Sequence, residues 1–307
     1  MVKPVEAASQ IAMDVGQTGI RVRWVLGDES DELALPGVLT DRDLMPQLAA
    51  AVESMVRQGR RAASVAAGVS GMTDDANPAA LAELVAPLGV TRTVLAHDSV
   101  TSYLGALGDR RGVVVAAGTG VVTLAVGETK MARVDGWGYL IGDAGAGYWI
   151  GRAGLDAAMR GYDGRGPKTI LTELARDEFP DLEAMYVELQ ADEYKVSRIA
   201  RYSRIVDRVA DTDAVAGEIL QRAAAELAHS AASGLKKVGE GEAGTPLVCV
   251  IGNVFNSGRI KAAFLSRLRQ LWGDLELTEP AGSGLDGAAR LVRVPKSSAL
   301  SARILRA

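Results

Sequence analysis

Two stretches of this chain share one design. Residues 11–27 read IAMDVGQTGIRVRWVLG and residues 112–127 read GVVVAAGTGVVTLAVG. Each is an apolar run, a glycine-bearing turn and a second apolar run. In the first copy the second run alternates, with Ile20, Val22, Trp24 and Leu26 on one face. This is the pattern of a strand, a tight turn and a second strand. Its recurrence about one domain apart points to two related halves. Between and beyond the copies, helical spacing is read over 44–58 (Leu44, Leu48, Val52, Met55, Val56), Pro78–Leu88, Ser99–Leu107, Ser257–Trp272 and onward from Leu285. Strands are expected at 63–70, Thr91–Leu95, 247–252 and Leu275–Leu277. The stretch 152–239 reads as mostly helical, 239–246 as a polar loop, and the tail after Pro295 has no strong pattern. Strands that alternate with helices throughout make the fold class α/β.

Composition narrows the function classes. A chain of 307 residues suits two domains. Hydrophobic residues at 48% and charged residues at 23% are the balance of a globular protein, and with aromatics at only 5% the core must come from Ala, Val, Leu and Ile. The 34 basic residues nearly balance 38 acidic ones and form no long run, so nucleic acid and anionic membrane are poor partners. One cysteine, Cys249, excludes a disulfide framework and a thiolate-held zinc or iron–sulfur site built within one chain. The first residues, MVKPVEAASQ, lack an apolar signal core, and no run approaches the roughly 18 apolar residues of a membrane span. The expected compartment is the cytoplasm.

Five places hold residues that suit chemistry. In Asp14-Val15-Gly16-Gln17-Thr18-Gly19, the glycines let backbone N–H groups approach a phosphate, Thr18 adds a hydroxyl, and Asp14 ends a buried strand where a Mg²⁺ brought by a nucleotide would compensate its charge. An ordinary hairpin turn with Asp14 bonded locally is the competing reading. No Walker A loop or dinucleotide fingerprint occurs. Gly118-Thr119-Gly120 repeats this turn chemistry. His97-Asp98-Ser99 lies where a strand meets a helix, so Asp98 reads either as a helix N-cap or as a carboxylate that takes a proton from a substrate hydroxyl. The stretch 136–151, GWGYLIGDAGAGYWIG, is too rich in glycine for a core element and suits backbone approach to a ligand, with Asp143 as an acceptor for sugar hydroxyls. Its residues Leu140, Ile141, Trp149 and Ile150 are of buried type and argue against a merely flexible loop. Gly252-Asn253-Val254 follows the last buried strand, where glycine would let a flat base lie on the backbone. His229, Cys249 and the Lys236-Lys237 pair read as surface or packing residues.

Taken together, these pieces resemble the sugar-kinase, heat-shock-protein and actin ATPase superfamily, and within it the BadF/BadG-type family that contains N-acetylglucosamine kinases. The resemblance runs from Ile11 to about Arg293. DVGQT is similar to the first phosphate motif, GTG to the second, IGNV to the adenosine motif, and HDSVTSYLGAL to the segment bearing the catalytic aspartate. GWGYLIGDAGAGYWIG is the most specific part, supported by DGRGPKTILTEL at 163–174 and PAGSGLDGAARL at 280–291. It implies two ribonuclease-H-like domains with ATP and sugar in a central cleft. The division expected is 1–110 and 111–307, with a return of the C-terminal tail to the first domain.

By the same resemblance Asp98 is the general base, and Asp14 holds Mg²⁺ through water. Gly16, Gln17, Thr18, Gly118, Thr119 and Gly120 contact phosphates, and Gly252 and Asn253 border adenosine. Ser70, Gly71, Asp98, Asp143 and Asp41 line the sugar. The implied activity is ATP-dependent phosphorylation of N-acetylglucosamine or glucosamine by a homodimer. Four residues depart from the family pattern: Ala144 where Glu is usual, Asn253 where Gly is frequent, and Thr40 and Asp41 where Asn is offered to the sugar. An acid at position 41 suits a sugar with a free ammonium group. Two further readings stay open: a nucleotide-binding regulator of the same fold, and a kinase of another small sugar. The cysteine-ligated iron–sulfur branch of the family is excluded by the single cysteine, and zinc-binding glucose kinases by the lack of a cysteine cluster.

Overall fold

The computed structural model describes residues 9–39, 41–73, 76–241 and 244–307. Two sheets carry the architecture. In the first, β1 (Gln10–Val15), β2 (Ile20–Leu26), β3 (Glu29–Leu35), β4 (Ser64–Val69), β5 (Arg92–His97) and the last strand, β11 (Ile304–Arg306), stand in the order β11-β5-β4-β1-β2-β3. Strands β1, β4 and β5 are parallel, while β2, β3 and β11 each run antiparallel to a neighbour. In the second, β6 (Gly112–Ala117), β7 (Val121–Val126), β8 (Met131–Val134), β9 (Leu247–Ile251) and β10 (Glu276–Thr278) stand in the order β10-β9-β6-β7-β8. Numbered within its own half, the second sheet has the order 5-4-1-2-3 and the first has the same order with β11 added at its edge, so the two strand–turn–strand units open two copies of one ribonuclease-H-like plan. The α/β class expected from the alternation is the class observed.

The helices are α1 (Leu44–Arg57), α2 (Pro78–Val85), α3 (Asp98–Leu107), α4 (Gly147–Asp163), α5 (Ile170–Glu178), α6 (Met185–Ala191), α7 (Lys195–Val209), α8 (Ala214–Val238), α9 (Gly258–Trp272) and α10 (Gly284–Arg290). Strands β3, β8 and β11 are absent from the sequence reading. Strand β3, ESDELAL, is largely polar and half exposed, and β8 and β11 are only four and three residues long, so none has the apolar run that marks a buried strand.

The chain divides into two compact units. One comprises residues 1–111, 126–131 and 279–307, and the other 112–125 and 132–278. The core of the first unit gathers Ile11, Met13, Val22, Leu48, Val52, Met55, Val65, Leu81 and Leu95, and that of the second Val113, Val115, Ile150, Tyr202, Leu220, Leu227, Val250 and Phe264.

Within the first unit, glycines let α3 lie very close to its neighbours. A Cβ added at Gly68 on β4 would meet Thr101 Oγ1 at 2.0 Å, one at Gly105 would meet the Ser283 carbonyl at 2.0 Å, and one at Gly287 on α10 would meet the Thr101 carbonyl at 1.7 Å. The segment that begins at 279 is thereby locked onto α3, and Arg290 donates to the Leu104 carbonyl at 2.9 Å. An ion-pair chain fastens α10 to β2: Arg23 bonds Asp286 at 2.6 Å and Glu32 at 2.6 Å. Burial would raise the Asp286 carboxyl, but the Arg23 guanidinium and the Ser283 N–H and hydroxyl outweigh it and hold the group well below the usual carboxylate range.

Two predictions arise from this packing. Thr123 on β7 is fully buried and its hydroxyl has no hydrogen-bond partner among the described residues. Thr123→Val keeps the shape and removes the stranded polar group, so it should stabilise the protein by about 1 kcal/mol, read as a higher denaturation midpoint in urea. A carboxyl lowered in the folded state adds stability above its unfolded pKa and loses it as pH falls. Asp286→Asn should therefore be less stable than the native chain at pH 7, with a gap that narrows as pH is taken down to about 3.5.

Candidate active site

In both units the candidate residues collect at one edge of the sheet, beyond the carboxyl ends of its parallel strands, where open α/β sheets bind ligands. In the first unit β1 ends at Val15, opposite Val69 of β4, which in turn lies opposite His97 of β5. The Ser70 N–H continues this ladder to the Val15 carbonyl at 2.8 Å. The register therefore brings the Gly16–Gly19 turn, Ser70-Gly71 and Asp98 to one edge. In the second unit β6 lies opposite β9 with Ala116 facing Ile251. That puts Gly252 beside Ala117, the residue before Gly118, in the equivalent position.

The first turn is closed by the Gly16 N–H to the Gly19 carbonyl at 3.0 Å, with Gln17 and Thr18 exposed at its tip. It is backed by Gly37, where a Cβ would stand 2.1 Å from the Gln17 carbonyl oxygen. Asp14 is ion-paired with Arg21, which is itself 57% exposed, and the Asp14 carboxylate lies against Gly284 at the start of α10. The competing reading of Asp14 as locally bonded thus has a named partner.

A helix cap is one reading of Asp98, and the structure gives that duty to its neighbour. His97 is the N-cap of α3, and its side chain accepts from the Ser99 N–H. Asp98 is the first helical residue, and its carboxylate shares the Ser99 N–H with His97 without being the cap. Burial would raise the Asp98 carboxyl, but His97, the Ser70 hydroxyl and the Ser99 N–H together outweigh it and hold it below the usual range.

The second turn is closed by the Gly118 N–H to the Gly120 carbonyl at 2.8 Å. The Gly118 and Thr119 carbonyls accept from the Gly147 and Tyr148 N–H groups at 2.8 and 3.0 Å. These are the first N–H groups of α4, so the turn caps that helix, whose cap residue Ala146 offers no side-chain bond. Gly252, at φ +97°, presses on the end of β6, and a Cβ there would meet the Ala117 carbonyl oxygen at 2.3 Å. Asn253 beside it is exposed.

The glycine-rich stretch behaves differently from its sequence reading. Its later glycines serve packing rather than ligand approach: a Cβ would collide with α8 from Gly145, with the Gly118 carbonyl from Gly147, and with the Ile199 carbonyl of α7 from Gly151. Of the residues expected to be buried, Ile150 is, but Leu140 and Ile141 are 81% and 86% exposed, on a tip that also shows Trp137.

Asp135, which the sequence reading passed over, holds that tip. Its carboxylate accepts from the Gly136, Asp143 and Ala144 N–H groups at 2.7, 2.8 and 2.9 Å, and its own φ is +57°. The one available signal was the Asp-Gly pair, a turn dipeptide. Asp143, expected to meet sugar hydroxyls, is buried behind the second turn, and its carboxylate presses on Gly120 and takes the Gly138 and Val121 N–H groups. Burial, then the charge of Asp135, push its carboxyl up against those bonds. Asp41 is exposed, and Thr40 lies outside the described residues.

The profile of the BadF/BadG/BcrA/BcrD ATPase family matches residues 14–289, from the first turn to the end of α10. The chain belongs to that family. Two curated relatives are similar in sequence. One is an N-acetylmuramic acid/N-acetylglucosamine kinase of Clostridium acetobutylicum, 29% identical over 53% of this chain and 55% of that one. The other is an N-acetyl-D-glucosamine kinase of Dictyostelium discoideum, 29% identical over 61% of this chain and 60% of that one. The matches thus span little more than half the length of these relatives. Among solved structures, a Chromobacterium violaceum protein assigned to the N-acetylglucosamine kinases superposes with a TM-score of 0.72 at 24% identity, covering 94% of this chain and 100% of that one. A ROK hexokinase of Thermus thermophilus gives 0.58 at 18%, covering 92% and 97%. At these identities the structural likeness speaks for the fold. No helix among the described residues is long and apolar enough to cross a membrane.

Asp135 supplies the prediction for this site. Asp135→Ala removes an acceptor for three N–H groups and should cost about 2 kcal/mol of stability. Amide hydrogen exchange in residues 136–144 should rise well above that of α3, which the substitution does not touch.

Proposed function

We propose that this chain is an ATP-dependent kinase that transfers a phosphoryl group to a hydroxyl of an amino sugar, of the N-acetylglucosamine or glucosamine kind. The observation that carries the reading is Asp98, which stands at the carboxyl end of β5 beside Ser70 and is released from capping by His97. Family membership and the names of the two curated relatives support the same reaction class. A carboxylate held below its usual range is ionised at neutral pH, as a base must be. Phosphoryl transfer through a loose transition state asks more of orientation than of base strength, so a weak but well-placed acceptor suffices.

In this reading Ser70 and Gly71 meet the sugar, and the turns Gly16-Gln17-Thr18 and Gly118-Thr119-Gly120 meet the phosphates. Gly252 and Asn253 border the base. Asp143 works from behind the second turn, holding Gly120 and the loop that follows β8. Exposed Asp41 is the acid that would favour a free ammonium on the sugar.

Asp14 is the residue for Mg²⁺. No group of three or more metal-ligating side chains occurs among the described residues, which suits a magnesium ion that keeps most of its waters and binds through phosphates and one carboxylate. The ion pair of Asp14 with Arg21 does not oppose this, because exposed pairs contribute about 0–1 kcal/mol and exchange readily. When bound, the ion neutralises charge on the transferring phosphates.

The test is ADP release with Mg·ATP against hexoses, amino sugars and their N-acetyl forms, with a control lacking sugar. Turnover should depend on N-acetylglucosamine or glucosamine. Asp98→Asn should lower kcat by at least about 10²-fold while the melting temperature and nucleotide binding stay unchanged. Full turnover in Asp98→Asn would remove the base. Nucleotide binding without turnover on any sugar would favour a regulator of the same fold. Asp41→Asn should shift preference away from glucosamine, and an unchanged ratio would remove Asp41 from the sugar site.

A further inference from the structure

His97 holds an unusual position. Its Nδ1 accepts from the Ser99 N–H at 3.1 Å, so in the neutral ring Nδ1 carries a lone pair and the ring proton sits on Nε2. The same Nδ1 lies 2.8 Å from Asp98 Oδ1 and 2.9 Å from Ser99 Oγ. Asp98 Oδ1 is buried, and no hydrogen bond satisfies it among the described residues. Two acceptor atoms therefore face each other at hydrogen-bond distance with room for one proton between them.

We infer that His97 is a positioning residue for Asp98, the two sharing a single proton site between Nδ1 and Oδ1, and that Asp98 can act as a base only while that site is empty. The inference rests on the reading of Asp98 as the base. With the site empty, His97 caps α3 and gives Oδ1 no proton, so the carboxylate keeps only the Ser70 hydroxyl and Ser99 N–H and is most able to take the sugar proton. With one proton added from solvent, Nδ1–H donates to Oδ1, the base is neutralised, and the Ser99 N–H keeps only the Asp98 carboxylate as acceptor. The change needs a proton and nothing else.

The surroundings leave the pair to itself. Ser70 beyond β4 and Ser99 on α3 present hydroxyls. Charged groups on the neighbouring elements are committed elsewhere: Arg306 of β11 to Ser301, Ile304 and Val294, Asp286 of α10 to Arg23, and Arg290 to the Leu104 carbonyl. Arg303, exposed, precedes the residue whose register partner is Ala96.

The chain has only two histidines, and His229 lies exposed on α8, so His229→Gln leaves a single imidazole. Long-range proton–nitrogen NMR of that variant at pH 8 should show the Nε2–H tautomer with Nδ1 unprotonated. A proton on Nδ1 at pH 8 overturns the inference, and this readout does not depend on any activity. The kinetic arm uses His97→Ser, whose hydroxyl can still cap α3. Relative to the native chain, it should keep its melting temperature, its sugar KM and its kcat at pH 8, while the acid limb of kcat moves to lower pH. An unchanged acid limb, with Asp98→Asn inactive, would defeat the proposal for His97 while sparing the base. Activity in Asp98→Asn would defeat the base itself. Should His97→Ser fail to fold, the ring tautomer still decides.

Discussion

How closely α3 can lie against β4 and α10 determines where Asp98 stands. A helix packed on a sheet through ordinary side chains sits about 10 Å away, but here Gly68, Gly105 and Gly287 strip the contact down to backbone and the Thr101 side chain. The approach is possible because the segment beginning at 279 returns to complete the first unit. Once α3 is seated, its first residue projects from the end of β5, level with the ends of β4 and β1. The close contact is thus upstream of the chemistry. It needs no side chain from the site, yet it sets the position of the one carboxylate proposed to act.

The second unit meets the same requirement with different means. Its first N–H groups on α4 are satisfied by the carbonyls of the Gly118–Gly120 turn, which ties the turn to a long helix. Gly147 and Gly151 let that helix sit against the turn and against α7. Two acids then fix the segment between β8 and α4. Asp135 gathers three N–H groups at its base, and Asp143 braces Gly120 from behind. Both adopt positive φ, a conformation that side chains other than glycine take at a cost of order 1 kcal/mol or more. Hydrogen bonding to backbone offsets that cost, and the result is a rigid base carrying an apolar tip.

Much of this was legible in the residues. Period-two and continuous apolar runs gave the buried strands, and glycine marked both turns, because these signals reflect burial and backbone geometry at the residue itself. What stayed hidden depends on partners far along the chain. The polar strand β3 and the short β11 exist because neighbours offer them hydrogen bonds, not because they bury much apolar surface. Glycines 145, 147 and 151 looked like ligand-facing residues, since a sequence cannot distinguish a glycine that admits a ligand from one that admits a helix. Asp98 by itself reads first as a cap, and only the backbone geometry shows that His97 has that duty. Leu140 and Ile141 were misplaced because apolar character is a weak guide to burial in a loop held by polar bonds at its base.

The return of residues 279–307 to the first unit has a consequence for how this chain is made. Chains fold as they leave the ribosome, usually from the N-terminal side. Here the strands of the first sheet emerge first but wait for α10 and β11, which appear only after the whole of the second unit. The second unit closes on residues that are contiguous apart from 126–131, so it can consolidate while its predecessor is still open. Leu285 and Ala288 must then find Ala12, a contact spanning nearly the whole chain. The unit that carries Asp98 is therefore completed only after the unit inserted within it has been made.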